Sequence, residues 1–592
     1  MRWAAPILAV VVLGLFPVTA GAHAVLEGSQ PSRGDQVQRA PARVTLRFDE
    51  PVEVAFGSVR VFDAAGKRAD QGSTEHPGGR GDEVAVGLRS GLGSGVYTAT
   101  YRVISADSHP VSGGFVFTVG AGGPAPRLGV DQLIQGGSAG PVTETAFGLA
   151  RGLSYLSIAL AVGGLAFALA VWGPSLRETA GPGPAWRTAS LAFAARSRVL
   201  VLSATGLGAL AAALGIVLQG ATASGGSFWS ALDPAVIGDV LGTRFGTVWS
   251  LRLAALLALG LLVALPVARA APVLRPASLG ATGLAPQATR PGAGLAAAAL
   301  LAAFICLTPA LAGHASTVPP TALLVPANAL HVSSMAVWVG GVVTLLLALP
   351  AATRLLDPPD RTGLLAAVVA RFSTLATLAV ATLVASGVLQ AIVELDAVSD
   401  LWRSAFGRAI LVKAALVVAL VSIGAWNRTR ARPRLARQAA SGASPGRTGV
   451  LLRRAVTPEV VLMAGVLAAT AALASYAPPS SASGPYSTDA ELGPARMELT
   501  VDPASAGPNQ LHLYLFDRRD GTQFDRVKEL RLSIRLPGRH IGPLPLNVQK
   551  AGPGHWIVRR AQIAPAGDWR LAVTARVSAF DEYTADVGVP VR

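Results

Sequence analysis

Cysteine is almost absent from this sequence: Cys306 is the only one in 592 residues. A single thiol rules out an intramolecular disulfide and any Cys-rich metal site. Charge is also scarce, at 14% Asp, Glu, Lys and Arg. It is unevenly spread, because polar segments at both ends enclose a middle dominated by apolar runs, and the chain therefore reads as an integral membrane protein. The phosphate-cradling G-x-x-x-x-G-K-[ST] pattern is missing, as is any sizeable domain between the spans, so nothing points to an ATP-driven motor. The formal charge of +16 would suggest nucleic acid in a soluble protein, but its placement gives a simpler reason.

Residues 1–22 have the order of a secretory signal: Arg2, an apolar run from Ile7 to Phe16, then Ala20-Gly21-Ala22 as a small-residue cleavage site. The apolar core is about ten residues, too short for a bilayer that needs about 20. Cleavage after Ala22 makes His23 the first residue of the mature chain. Eight apolar segments long enough to span follow, at 146–173, 197–220, 247–268, 293–312, 322–350, 368–393, 407–426 and 456–477. The odd loops are basic; the seventh, "NRTRARPRLARQAASGASPGRTGVLLRR", holds eight arginines and no acid. Even loops are acidic or neutral. The positive-inside rule therefore sets the odd loops in the cytoplasm and both termini outside the cytoplasmic membrane, which agrees with the signal and accounts for much of the net charge without nucleic acid.

Both ends alternate in the strand manner. "RVTLRF" (43–48), "GSVRVFD" (57–63), "EVAVGL" (83–88), "GVYTATYRVIS" (95–105) and "GGFVFTVG" (113–120) make residues 23–120 a small antiparallel sandwich or barrel. Residues 121–145 read as linker. Residues 478–494 read as a second linker, before five more strands between 496 and 577 in a C-terminal domain, 495–592. The expected fold class is thus a multi-domain membrane protein: an N-terminal β-sandwich, an eight-helix transmembrane bundle (146–477) and a C-terminal β-sandwich. His512, His540 and His555 lie in different segments of the last domain and are taken as surface or turn histidines.

A terminal His23 offers two nitrogens, the free α-amine and imidazole Nδ1, which close a six-membered chelate ring that no internal histidine can form. "ISADSHPVSGG" sets Asp107 and His109 two apart at a strand end, so in an extended chain they point to one side. An amine, two imidazoles and a carboxylate form a tetragonal N/O set that favours Cu(II), and the absence of Met and Cys in this domain argues against Cu(I). The alternative is that D-S-H is a polar turn and His23 a coincidence. "HAVLEGSQPSRGDQV…VTLRFDEPVE" with "YRVISADSHPVSGGFVFTVG" closely resembles the copper-binding CopC family. The resemblance implies Cu(II) held by His23, Asp107 and His109, with Glu50 supporting the site. Val25 stands where many members have a second His, and the methionine-rich Cu(I) motif of some members is absent.

In the membrane core, metal-binding groups are costly and suggest function. "LTPALAGHAST" places His314 at the outer end of the fourth span, and "NALHVSSMAVWVGG" sets His331 in the outer half of the fifth. A short loop joins these antiparallel neighbours, so the two histidines can approach each other. Met335 and Trp338 share the helical face of His331, while Cys306 lies two turns deeper than His314. The alternative is that each histidine caps a helix or bonds a carbonyl. G-H-A and H-x(6)-W-x-G-G resemble patterns of the CopD family, and the C-terminal domain loosely resembles YtkA-like domains. Taken together, these resemblances imply extracytoplasmic Cu(II) capture coupled to copper transfer into or across the membrane. Copper ions, lipid and extracytoplasmic copper donors are then the partners, and no enzymatic activity is expected. The rivals are a copper-sequestering resistance protein without transport and a membrane redox protein binding haem or copper.

Overall fold

The structure, a computed structural model, describes residues 24–591 apart from 25, 33–34, 49, 55–58, 106–109, 121–132, 134–139, 225–226, 266–292, 318–319, 396, 442–445, 474–485 and 520–522. The expected signal segment lies outside these residues. The chain divides into two compact units: a helical one, and one that holds both β-domains together with Gly220–Asp239.

The N-terminal domain stacks two sheets. β1 (Leu26–Gln30), β3 (Arg43–Phe48), β7 (Glu83–Leu88) and β6 (Asp70–Glu75) form the first, in that order. β2 (Gln36–Val37), β9 (Pro110–Val119), β8 (Gly95–Ser105) and β4 (Val52–Glu53) form the second, with β5 (Val59–Asp63) also paired to β8. The period-2 pattern turns Val44, Leu46 and Phe48 of one sheet against Tyr97, Ala99 and Tyr101 of the other. β1 and β6 escape sequence reading because "LEGSQ" and "DQGSTE" are polar strands at sheet edges.

The C-terminal domain is a second sandwich. β10 (Tyr486–Leu492), β11 (Ala495–Asp502), β12 (Gly507–Asp517), β16 (His555–Ile563) and β15 (Gln549–Gly552) pack on β14 (Ile541–Leu546), β13 (Glu529–Leu536), β17 (Gly567–Arg576) and β18 (Glu582–Val591). β10 falls within the segment read as linker to residue 494; Leu492 packs in the core with Tyr486 and Ala490 against it, which draws the strand into the domain. The histidines also differ from expectation. His512 and His555 are not surface residues but are 5% and 4% exposed, side by side on adjacent strands.

The helical unit contains α1 (Pro141–Phe167, continued through a π turn to Thr179), α2 (Pro184–Ser224), α3 (Arg244–Ala264), α4 (Ala293–Leu311), α5 (Thr321–Leu347), α6 (Pro358–Glu394), α7 (Ala405–Trp426) and α8 (Gly446–Leu473). Among the described residues, seven helices are long and apolar enough to cross a membrane, while α8 supplies only the shorter apolar stretch Glu459–Ala471. The eighth expected span, 456–477, runs past the described residues at 474–477, and Glu459–Ala471 is its described apolar part.

α1 and α5 meet backbone to backbone. A Cβ on Gly163 would lie 2.0 Å from the Ala336 carbonyl oxygen, and one on Gly340 would lie 1.9 Å from that of Ala159. Small residues are what let membrane helices approach this closely. Arg252 ties the other side of the bundle: at 3% exposure it donates to Thr308 Oγ1 on α4 (2.7 Å) and Ser154 Oγ on α1 (3.2 Å), over the Trp249 ring.

Two predictions follow from this packing. Gly340→Ala should lower the thermal unfolding midpoint of the detergent-solubilised protein, since overpacking costs on the order of 1–3 kcal/mol. Gly363→Ala, whose added Cβ meets nothing within 4 Å, should not lower it; equal midpoints for the two variants would refute the close crossing. In the C-terminal domain, burial and the neighbouring His512 hold His555 well below the ordinary imidazole pKa. An unfolded histidine takes up a proton near pH 6.5 and the folded one does not. The unfolded state then binds more protons, so this contribution to stability is complete above about pH 6.5 and shrinks as pH falls below it. Hydrogen exchange of β12 and β16, corrected for intrinsic rates, should accelerate from pH 7.5 to pH 5.

Candidate metal centres

Antiparallel pairing of Leu26 with Phe48 sets the start of β1 beside the end of β3. Glu50 follows two residues later, and the Ser105 hydroxyl at the end of β8 donates to its Oε1. Ile104 pairs with Pro110, so β8 ends and β9 begins at the same place. The start of β1, the end of β3, the end of β8 and the start of β9 therefore share one end of the sandwich. His23, Asp107 and His109 themselves lie outside the described residues. Their described neighbours are firmly placed: Ala24 is 1% exposed in the sandwich core, and Ser105 pairs with Val52.

In the helical unit, His331 lies ten residues into α5, about 15 Å along its axis. Its Nδ1 is 3.1 Å from the Ser386 hydroxyl of α6. Gly387 makes room for the ring, since a Cβ there would stand 3.0 Å from its Cε1. One turn away, Asn328 Nδ2 donates to Gln390 Oε1 at 2.7 Å, and Gln390 Nε2 donates to the Ser386 carbonyl at 3.0 Å. These bonds form a polar ladder along the seam between α5 and α6.

His331 opens onto a cavity of about 50 Å³, whose lining includes Tyr155 of α1, Met335 and Trp338 of α5, Lys413 of α7 and Met463 of α8. Trp338 and Leu420 also line a second cavity of about 250 Å³, which reaches Ser373, Asn427, Arg428 and Glu459. Glu459 is 7% exposed and accepts from Asn427 Nδ2 at 2.7 Å. One face of α8, Glu459 and Met463 one turn apart, thus serves both cavities.

The cavity lining takes in His331 and Met335 but neither His314 nor Cys306. His314 sits in the turn His314–Ser316 between α4 and α5. Cys306 is 2% exposed in the apolar cluster of α4 with Ile158, Leu259 and Val332. Among the described residues no three His, Cys, Asp or Glu side chains stand close enough together to hold a metal ion. Sequence reading passed over Glu459 as a site residue, although an acid within an apolar span is itself a signal.

Three family models match this chain: the CopC domain over 26–120, the N-terminal domain of copper resistance protein D-like proteins over 142–289, and copper resistance protein D over 366–473. Residues 290–365, which carry His314, His331 and Met335, fall between the last two matches. The copper transport protein CutJ of Bacillus subtilis (strain 168) is 28% identical over 584 residues, 97% of each chain. Copper resistance protein C of Escherichia coli is 29% identical over 111 residues, 17% of this chain and 84% of that protein. The crystal structure of CopC from Methylosinus trichosporium OB3b is 32% identical, covering 16% of this chain and 93% of that one, with a TM-score of 0.15. With a CopC domain followed by both parts of a copper-resistance-protein-D membrane domain, the chain is a fusion protein of the CopC–CopD type.

Proposed function

We propose that this protein captures copper at the end of its N-terminal sandwich and passes it through the helical unit across the cytoplasmic membrane. The observation that carries this reading is the pair of neighbouring cavities with Trp338 and Leu420 in both linings, the first lined by one imidazole and two thioethers and the second bordered by a buried carboxylate. A domain serving only as an anchor has no use for His331 and Glu459 beside these cavities, because ionisable groups inside a membrane are costly. The resemblance to a protein named for copper transport along 97% of its length supports the same reading.

The two ends of the path differ in donor chemistry. An N-terminal amine with His23, His109 and Asp107 gives a tetragonal N/O set suited to Cu(II), with Glu50 bracing the site through Ser105. The imidazole and thioether lining of the cavity accepts copper in either oxidation state. Basic odd loops place both β-domains outside the cytoplasm, so capture occurs on the outer side. No ATP-binding motif is present, and inward movement follows the membrane potential, which supplies about 2.3 kcal/mol per unit charge per 100 mV. The protein acts as a binding and transport protein rather than an enzyme.

Met335→Leu with Met463→Leu keeps the cavity volume but removes both thioethers. In liposomes loaded with a copper chelator, this variant should take up copper at least tenfold more slowly while copper captured by the N-terminal domain is unchanged; undiminished flux would show that the cavity is not the path. His331→Ala should abolish flux, whereas His314→Ala, outside the cavity, should only slow it. A purified protein with an optical haem spectrum would overturn the transport reading in favour of a redox one. At the outer site, one extra residue before His23 should weaken Cu(II) binding by orders of magnitude in a competition titration, because it destroys the terminal chelate.

A further inference from the structure

β12 and β16 are neighbours in one sheet, with Tyr514 paired to His555 and His512 to Ile557. His512, Tyr514 and His555 therefore share the sheet face opposite Leu511, Leu513 and Leu515, which fill the domain core. An outward face would ordinarily meet solvent, yet all three side chains are 4–5% exposed. Part of the cover is the N-terminal sandwich of the same compact unit, whose Val96 and Val116 pack on Tyr514 and Phe516.

Within this interface His512 Nδ1 lies 3.1 Å from His555 Nε2, with the rings 16° from parallel. The Tyr514 ring stacks on His555 at 4.4 Å. The Tyr514 hydroxyl is buried without a hydrogen-bond partner among the described residues, and so is the Thr98 hydroxyl, two residues along β8 from Val96. Two imidazoles and two buried hydroxyls with no hydrogen-bond partner among the described residues are an expensive choice beside the apolar contacts of Val96, Val116 and Phe516, since buried polar groups cost free energy unless fully bonded. Aliphatic residues would serve adhesion better.

We propose that His512 and His555 are the two ligands of a Cu(I) ion held between the sandwiches, a site separate from the N-terminal chelate and from the membrane cavity. A metal–imidazole bond is about 2.0–2.1 Å, so two of them span about 3.1 Å at a right-angled to tetrahedral bend and about 4 Å when linear. The observed spacing lies at one limit and within about 1 Å of the other. Cu(II) seeks a tetragonal set of N/O donors, and among the described residues no third His, Cys, Asp or Glu completes one here. Filled-shell Cu(I) accepts two neutral imidazoles. On binding, the ring that donates the shared N–H moves that proton to its other nitrogen, so the ion adds its single charge with no net proton release and no redox step.

The inference is independent of transport and is tested on the full chain in detergent, anaerobically, by titrating Cu(I) against a chromophoric chelator. The wild type should bind one more equivalent than His512→Gln or His555→Gln, with each variant keeping the wild-type unfolding midpoint without metal. Folded variants that bind as many equivalents as the wild type would overturn the site. If the variants do not fold, wild-type hydrogen exchange decides: Cu(I) should slow exchange across 510–514 and 555–558, and unchanged exchange there during Cu(I) binding would equally overturn it.

Discussion

The membrane domain is organised by the contact of α1 with α5 at Gly163 and Gly340, where each helix backbone occupies the space a side chain would take. Lipid tails are as apolar as leucine, so helices gain little by hiding apolar surface from lipid; close packing and polar contacts must hold them together. Direct backbone contact fixes the rotation of α5 about its axis. His331, Met335 and Trp338 are consequently aimed into the space bounded by α6, α7 and α8, while Gly341 on the next position receives the Phe372 ring of α6. A larger side chain at either crossing glycine would move the cavity as well as the helices.

Polar groups within the bundle follow the same geometry. Arg252 is spent on joining α3 to α1 and α4. Asn328, Gln390, Ser386 and His331 join α5 to α6, and Asn427 with Glu459 joins the C-terminal end of α7 to α8. Each bond offsets part of the desolvation that burial imposes. Arg252 lies in neither cavity lining, whereas His331 lines the first and Asn427 and Glu459 line the second.

Outside the helices, the two sandwiches use different parts of the same architecture. The N-terminal domain brings the start of β1 and the ends of β3 and β8 together at one end. The C-terminal domain presents a sheet face, where neighbouring strands align imidazoles by register alone.

Local pattern was enough to read most of this protein from its sequence. Apolar length located the helices because a bilayer sets a minimum span, and period-2 alternation located β3, β7, β8, β11, β13 and β16 because one face of each meets a core. Polar edge strands such as β1 and β6 were not legible, since they bury no alternating stripe. The position of His331 was legible too, as an imidazole in an apolar helix is unusual within its own segment, whereas His23, Asp107 and His109 lie outside the described residues. What sequence left open was which faces meet. His331 and Met463 are separated by more than a hundred residues, and His512 and His555 by 43, and nothing in a local pattern states the rotation of one helix against another or the pairing of strands β12 and β16. Only tertiary packing settled those, by the backbone approach at Gly163 and Gly340 and by the hydrogen-bond register of the sheet, and it is this packing that removed Cys306 from the cavity and brought Met463 into it.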